Sequence, residues 1–313
     1  MTKFLITGGA GFIGSNIAET LVKQRQQVRI LDNFSTGRKE NIAAIRGKVE
    51  LVKGDIRDAK TVSRAVKGVD YVLHQAALPS VARSVNDPLT SNSVNVEGTL
   101  NVLLAARDHK VKRVVYAASS SAYGDTPTLP KIETMASNPQ SPYATTKLTG
   151  ELYCRNFYRI FGLETVCLRY FNVFGPKQDP TSFYSAVIPR FIAALQHGDS
   201  LMVYGDGEQS RDFTYIDNVI SANLLACKAP KAAGEVFNIA CGRRYTVNQL
   251  AEKIADILKR DLEIEYTHAR PGDVKHSLAA IKKAQKVLGY KVKVNFDQGL
   301  VKTVNWFLKK GHK

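Results

Sequence analysis

The sequence predicts an α/β protein: a doubly wound parallel sheet with a second, smaller α/β portion interleaved with it. Three observations carry the prediction. A short apolar strand, Lys3 to Thr7, runs into a glycine turn and then a helix. Apolar runs then alternate with helical stretches as far as Leu168, the pattern of parallel strands joined by helical crossovers. From Phe174 the alternation loosens into loop signals, Gly175-Pro176, Gly198-Asp199 and Gly205-Asp206-Gly207, before strand and helix return. With no internal repeat and no low-complexity linker between them, residues 1–172 and 213–240 are expected to form the large-sheet domain. Residues 173–212 and 241–313 are expected to form the smaller one.

Bulk properties narrow the function classes. A chain of 313 residues has ample material for a core, and 44% hydrophobic residues is ordinary for a globular protein. No run approaches the ~18–20 apolar residues of a membrane span and no signal peptide precedes Phe4, so the expected location is the cytoplasm. Cys154, Cys167, Cys227 and Cys241 show no C-x-x-C spacing and are expected as reduced thiols. The six histidines form no ligand cluster, so no metal is expected. The net charge of +16 is dispersed, apart from Lys282-Lys283 and the carboxyl-terminal lysines, and no nucleic-acid motif accompanies it. It reads as a solvated basic surface that also attracts a polyanionic substrate.

Taken in order, the glycines at 8, 11 and 14 form G-x-x-G-x-x-G before a helix with an Ile13, Ile17, Leu21 stripe. Glycine there lets backbone N–H groups approach a pyrophosphate, and the helix amino terminus favours its charge. The next strand, Val28 to Leu31, ends in Asp32, an acid placed to accept from ribose hydroxyls and repel a 2′-phosphate. This predicts a bound dinucleotide, NAD over NADP, although Arg38 is a feature that would suit NADP. Asp55 follows the strand Val49 to Val52, where it would suit an adenine or simply cap a helix. His74-Gln75-Ala76-Ala77 follows Tyr71 to Leu73, and its small residues would allow close approach to the cofactor. A long helix is expected over about Leu89 to Asp108, with Asn95 on an inner face needing a partner.

The strand Arg113 to Ala117 leads to Ser119-Ser120-Ser121 at its carboxyl end, where open α/β sheets place ligands. Ser141 is a plausible cap and Pro142 a first helical residue for a helix carrying Tyr143 and Lys147 on one face. Moving a phenol from about 10 to about 7 takes roughly 4 kcal/mol of preferential stabilisation of the phenolate. A neighbouring ammonium supplies part of that. With 13 tyrosines, one Tyr-x-x-x-Lys is expected by chance, so the pair gains its weight from the glycine motif. After Glu164 to Leu168, the isolated Arg211 and Arg270 read either as surface charge or as a clamp on a diphosphate. Val236 to Ala240 is a further buried strand. The segments Thr246–Lys259, Leu262–Tyr266, Ala279–Leu288 and Asp297–Lys309 complete the smaller portion.

The motifs TGGAGFIG (7–14), SSSAYG (119–124), SPYATTK (141–147), LRYFNVFG (168–175), SRDFTYIDN (210–218) and RPGDVKHS (270–277) occur in order. With Asp32, they make the chain resemble, over its whole length, an extended short-chain dehydrogenase/reductase of the nucleotide-sugar epimerase/dehydratase family. It is most similar to UDP-N-acetylglucosamine/UDP-glucose 4-epimerases. The resemblance implies a Rossmann-type NAD-binding domain with a nucleotide-sugar-binding domain beside it. It also implies a homodimer through helices near 92–108 and 144–160. The implied reaction has Tyr143, as phenolate, take the sugar O4 proton while C4 is oxidised against tightly bound NAD. The 4-keto sugar is then reduced on its other face. Lys147 would lower the Tyr143 pKa and hold the nicotinamide ribose, and Ser119 would hydrogen-bond O4. Cofactor binding would fall to Gly8, Gly11, Phe12, Ile13, Gly14, Asp32, Asn33, Asp55, Ile56, Gln75, Ala76, Ala77 and Asn95. Tyr143, Lys147, Tyr170 and Phe171 would complete that set. The UDP-sugar would meet Ser120, Ser121, Asn172, Val187, Arg211, Arg270, Asp273 and Ser277.

Departures from sister branches shape the expected reaction. The 4,6-dehydratases carry Asp-Glu where this chain has Ser120-Ser121, so elimination of the 6-hydroxyl has no acid/base pair. The decarboxylase glutamate of the same loop is also missing. Ser277 stands at a position that gates sugar size in the family, and a small residue there leaves room for a 2-acetamido group. UDP-GlcNAc/UDP-GalNAc is therefore the expected pair, with UDP-glucose/UDP-galactose also accepted. A uronic acid 4-epimerase, whose carboxylate would meet Ser119–Ser121 and Arg83, and a dehydratase or decarboxylase are the alternatives. A silent NAD-binding protein would be expected to lack Tyr143 or Lys147, and both are present.

Overall fold

The computed structural model describes residues 1–179, 186–268 and 274–311, without the side chains of 310 and 311. The first half alternates as β1 (Lys3–Thr7), α1 (Phe12–Lys23), β2 (Gln27–Asp32), β3 (Glu50–Lys53), α2 (Ala59–Val66) and β4 (Tyr71–His74). There follow α3 (Val81–Asn86), α4 (Pro88–Asn92), α5 (Gly98–Asp108), β5 (Arg113–Ser119), α6 (Pro142–Phe161) and β6 (Thr165–Tyr170). The second half holds β7 (Val173–Phe174), α7 (Val187–His197), β8 (Leu201–Tyr204), β9 (Ser210–Arg211), β10 (Thr214–Tyr215) and α8 (Ile216–Lys228). It ends with β11 (Val236–Ile239), β12 (Tyr245–Thr246), α9 (Val247–Leu258), β13 (Ile264–Thr267), α10 (Lys282–Leu288) and α11 (Phe296–Gly311).

Seven strands form one sheet in the order β11-β6-β5-β4-β1-β2-β3, every pairing parallel. The chain winds outward in both directions from the β1/β4 boundary, so a crevice opens there at the carboxyl ends of the strands. This is the Rossmann-type arrangement. Its strands read as near-continuous apolar runs because both faces are covered. The two-residue side-chain period shows it: Phe4 and Ile6 enter one core and Leu5 the other. On β5, Val115 and Ala117 face the first core, and Val114, Tyr116 and Ala118 the second. The first core continues without a break into residues of the smaller portion, including Phe191, Leu250 and Phe296. There β8 pairs with β13, β9 with β12 and β7 with β10.

Two expected helices differ in detail. The stretch expected as one helix over about Leu89 to Asp108 is started by Pro88 behind the Asp87 cap and is interrupted by a π turn at Ser93–Glu97. The stretch Ala279–Leu288 is helical only from Lys282. Residues 279 and 280 are held extended instead: Ala279 bridges Lys131, and the Ala280 N–H donates to the Lys131 carbonyl at 2.9 Å. All four cysteines are free thiols, three of them buried. Among the described residues no helix is long and apolar enough to cross a membrane, and no grouping of His, Cys, Asp and Glu could hold a metal ion.

Candidate active site

The amino end of α6 is fixed by its own residues. Ser141 caps it, accepting from the Ala144 N–H at 3.2 Å, and Pro142 takes the first turn, where a missing N–H is harmless. The Tyr143 N–H, another donor without a helical partner, goes to Ser84 Oγ at 3.0 Å. One turn on, Lys147 is buried, its Nζ donating to the Ala117 carbonyl at 2.8 Å and lying 5.1 Å from the centre of the Tyr116 ring. The helix can lie this close because residue 150 is glycine: a Cβ there would sit 2.3 Å from Tyr116 Oη. A buried bidentate ion pair, Arg169 on β6 with Glu151 on α6 at 2.7 and 2.8 Å, anchors the same face.

Electrostatics at the pair differ from the expectation. Burial pushes the Tyr143 phenol above its ordinary value, and a hydrogen bond with the Ser119 side chain draws it back. Lys147 was expected to lower the phenol, but in the chain alone its charge is directed to the Ala117 carbonyl and the Tyr116 ring. Burial brings the ammonium itself down to about 8. Ser119 Oγ also accepts from the Ser121 N–H and hydroxyl, at 3.2 and 2.8 Å, so the serine loop folds back onto the residue that meets the phenol.

The crevice beside the pair fits a dinucleotide. A Cβ at residue 14 would stand 2.2 Å from the Gly8 carbonyl oxygen. Gly8 has φ +68°, and a Cβ there would meet the Ala76 backbone at 2.8 Å. The turn is thus closed down as far as bare backbone allows. Gly11, at the cap position of α1, brings no side chain to claim the first N–H groups. Phe12, Ile13 and Gly14 begin that helix. Asp32 ends β2, buried, accepting from the Ala10 and Phe34 N–H groups at 2.8 Å each; burial raises its pKa against those two bonds. Asn33 donates to Asp55 at 2.8 Å, and Arg57 holds the Asp55 carboxyl down to about 2. Asp55 caps nothing; the α2 cap is Asp58. Ile56 is buried against Gly98. Arg38, the residue that would have suited NADP, is ion-paired with Asp179.

Other expected cofactor residues are tied to one another. Gln75 donates to Asn223 at 3.1 Å and accepts from the Tyr170 hydroxyl at 3.2 Å, beside Ala76 and Ala77 at the end of β4. Asn223 is a partner that the sequence did not single out. Phe171 is fully buried, its ring 6.2 Å from that of Tyr123, and it stands in the wall of the space beside Tyr143 and Tyr170. Asn95 lies in the π turn with its carboxamide used inside the protein. It accepts from the Leu78 N–H at 2.8 Å and donates to the Leu78 carbonyl and to Thr146 Oγ1.

A cleft of about 380 Å³ brings together Ser119, Ser120, Ser121, Tyr143, Tyr170, Asn172, Arg211 and Ser277, and reaches Ile13 at the glycine turn. A second, of about 250 Å³, is lined by Val187, Tyr204, Gln209 and Val247; it too includes Asn172 and Arg211, which therefore stand where the two meet. Arg211 Nη1 donates to the Ser210 and Lys275 carbonyls, at 3.1 and 3.0 Å. Ser277 Oγ accepts from Asn172 Nδ2 at 3.1 Å and from the Asp212 N–H at 3.4 Å. It lies five residues before α10 and does not cap it. Arg270 and Asp273 lie outside the described residues. Lys131 and Gln140, which no motif in the sequence marks, also line the first cleft, as does His276 of the 270–277 motif.

Comparison with known proteins agrees with this geometry. The family model described as the NAD dependent epimerase/dehydratase family matches residues 4–240. A putative UDP-glucose 4-epimerase of Methanocaldococcus jannaschii is 40% identical over 309 residues, 96% of this chain and 97% of that one. A solved UDP-N-acetylglucosamine 4-epimerase of Methanobrevibacter ruminantium, in complex with UDP-N-acetylmuramic acid, superposes with a TM-score of 0.94 at 41% identity, covering 99% of both chains. The UDP-glucose 4-epimerase of Thermotoga maritima with UDP-glucose gives 0.94 at 37% identity, again over 99% of both.

Proposed function

The chain belongs to the NAD-dependent epimerase/dehydratase family and is an NAD-dependent UDP-sugar 4-epimerase, an isomerase; from that premise we propose that its substrates are the N-acetylated pair UDP-GlcNAc and UDP-GalNAc. The observation that carries the choice of sugar is Ser277, a small side chain on the wall of the cleft that holds Tyr143. The M. ruminantium relative, named for the same sugar, supports it. UDP-glucose and UDP-galactose are smaller at the 2-position and fit the same space. The T. maritima relative with UDP-glucose favours their use as second substrates.

In this reading NAD, held by the glycine turn and Asp32, supplies the reversible oxidant for C4 and, in its oxidised form, a positive charge. The remaining work belongs to the chain. Tyr143 moves the O4 proton in both directions, with the Ser119 hydroxyl holding the phenol and the O4 position in line. Lys147 places its cation under the first turn of α6 and keeps the phenolate attainable. Asn172 and Arg211, at the junction of the two clefts, take the diphosphate, and Val187 lines the nucleoside end. Arg270 and Asp273 remain assigned to the substrate on the resemblance alone. No carboxylate stands at Ser120 or Ser121, so nothing there supports water elimination. The four free thiols support a cytoplasmic location. Residues 1–172 with 213–240, and 173–212 with 241–313, are the proposed domains. Exposed Leu152, Tyr158 and Ile160 on α6 support the homodimer expected through the helices near 92–108 and 144–160.

The test of the sugar assignment is Ser277→Tyr. Filling the wall should abolish turnover of UDP-GlcNAc while UDP-glucose turnover survives, because steric exclusion is not limited to the ~1–3 kcal/mol of a missing methylene. Ser277 also holds Asn172, and loss of that contact alone would lower both substrates equally. The measured quantity is the ratio of kcat/KM values for the two sugars, with Ser277→Ala, which removes the hydroxyl without filling space, as control. An unchanged ratio in the tyrosine variant removes the assignment.

A further inference from the structure

Beneath the proposed site a buried hydrogen-bond chain joins the end of β1 to the first turn of α6. Thr7 Oγ1 and His74 Nδ1 are 2.6 Å apart, and His74 Nε2 and Thr99 Oγ1 are 3.0 Å apart. Thr99 donates to the Asn95 carbonyl at 2.6 Å; Asn95 Nδ2 donates to Thr146 Oγ1 at 3.1 Å; Thr146 donates to the Tyr143 carbonyl at 2.8 Å. Thr7, His74, Thr99 and Asn95 are at most 1% exposed.

The proton positions follow from counting donors. A threonine hydroxyl has one hydrogen, and that of Thr99 goes to a carbonyl, which can only accept. Thr99 must therefore accept from His74, so the proton is on Nε2. Nδ1 is then an acceptor, and Thr7 donates to it while accepting from the Ala76 N–H at 3.3 Å. Every member has one direction, and the chain is complete only with a neutral imidazole. Burial, reinforced by the Lys147 charge, holds His74 down to about 3, so it stays neutral at physiological pH.

We propose that His74 and Thr99 are positioning residues for Tyr143: through Asn95 in the π turn and Thr146, they fix the first turn of α6 relative to the glycine turn. The proposal rests on reading Tyr143 as the acid/base. Both ends of the chain are functional elements, the turn that begins at Gly8 and the helix that carries Tyr143 and Lys147. The π turn is where it crosses between them, and such turns concentrate at functional sites. The Thr99 hydroxyl hands the imidazole's hydrogen bond on to the Asn95 carbonyl.

Thr99→Val keeps the shape and removes the hydroxyl; Thr99→Ser keeps the hydroxyl and removes a methyl. Each is compared with the parent for kcat and KM on UDP-GlcNAc, for dinucleotide released on denaturation, and for melting temperature. The valine variant should lose kcat by on the order of 10-fold to 100-fold, the range expected when a reacting group is displaced by up to an ångström. Its KM and dinucleotide content should stay at the parent's values, and the serine variant should recover most of kcat. A valine variant with the parent's kcat overturns the proposal. So does one that loses kcat, dinucleotide and melting temperature together with the serine variant no better, since that describes a merely structural hydroxyl. Tyr143→Phe separates the premise: if it turns over, Tyr143 is not the acid/base, whereas an inert Tyr143→Phe beside a fully active Thr99→Val condemns this inference alone.

Discussion

Tyr143 works against its own burial, and this sets the pH behaviour of the proposed site. A phenol pushed above about 10 is a poor base near neutrality unless positive charge favours its anion. Lys147 is a buried cation one turn along the same helix, and burial brings its own pKa down to about 8. The two effects run in opposite directions. Below about 8 the lysine is charged and assists the phenolate; above it the assistance fades as the ammonium loses its proton. Lys147→Met should therefore move the rising limb of kcat against pH to higher pH and lower the plateau, while co-purified dinucleotide falls modestly. Measured from pH 6 to 10, an unmoved limb would leave Lys147 with no electrostatic part in the reaction. The Tyr143–Lys147 pair was legible in the sequence because four-residue spacing puts two side chains on one helical face. The desolvation of the phenol was not, because it depends on the cleft walls that tertiary packing brings around it.

At the scale of elements, the position of α6 on β5 decides whether those side chains meet at all. Gly150 is the spacer: the helix pays a propensity cost of about 1 kcal/mol for glycine in its interior, which alanine would recover. A Cβ at 150 would nevertheless meet Tyr116 Oη at 2.3 Å and Cζ at 2.6 Å, and overpacking of that kind costs about 1–3 kcal/mol. The clash should win. Gly150→Ala is expected to lower stability in urea denaturation and to reduce kcat by lifting Lys147 from the Ala117 carbonyl. Adding Tyr116→Phe removes the closest atom and should restore part of both losses; if the single variant is more stable than the parent, the packing account is wrong. A glycine inside a helical pattern signals only a weaker helix, so this role could not be read from sequence. The π turn is similar: Ser93–Glu97 contains no residue type that dictates one, and the bonds Asn95 makes from within it to Leu78 and Thr146 therefore have no local signal. The start of α6, by contrast, was readable to the residue, because Ser141 and Pro142 act through local backbone rules. Ser277 shows the limit from the other side. The sequence after it reads as a segment over Ala279–Leu288, and the Lys131–Ala279 bridge is what draws residues 279 and 280 into extended backbone and starts α10 at Lys282.

Over the whole molecule, the parallel order of the large sheet follows from strand-helix alternation, which is why the fold was legible from the first glycine turn onward. The sequence could not say how the smaller portion sits, since short pairs such as β9 with β12 are fixed by tertiary contacts. The net charge of +16 is also a whole-molecule property, and it has a consequence for a substrate carrying a diphosphate. A dispersed positive field raises the encounter rate of an anion, but it acts through solvent and is screened over about 10 Å at 0.1 M salt. The direct contact proposed for Arg211 would be short-ranged and screened far less. The two contributions therefore separate by ionic strength. For a UDP-sugar, kcat/KM should fall several-fold between about 10 mM and 300 mM sodium chloride, with kcat nearly constant, because the field assists capture and not chemistry. Arg211→Gln should lower kcat/KM at every salt concentration yet leave the slope almost intact. A slope that vanishes in Arg211→Gln would place the attraction in one local clamp. A flat response in the parent chain would mean that the positive surface has no part in substrate capture.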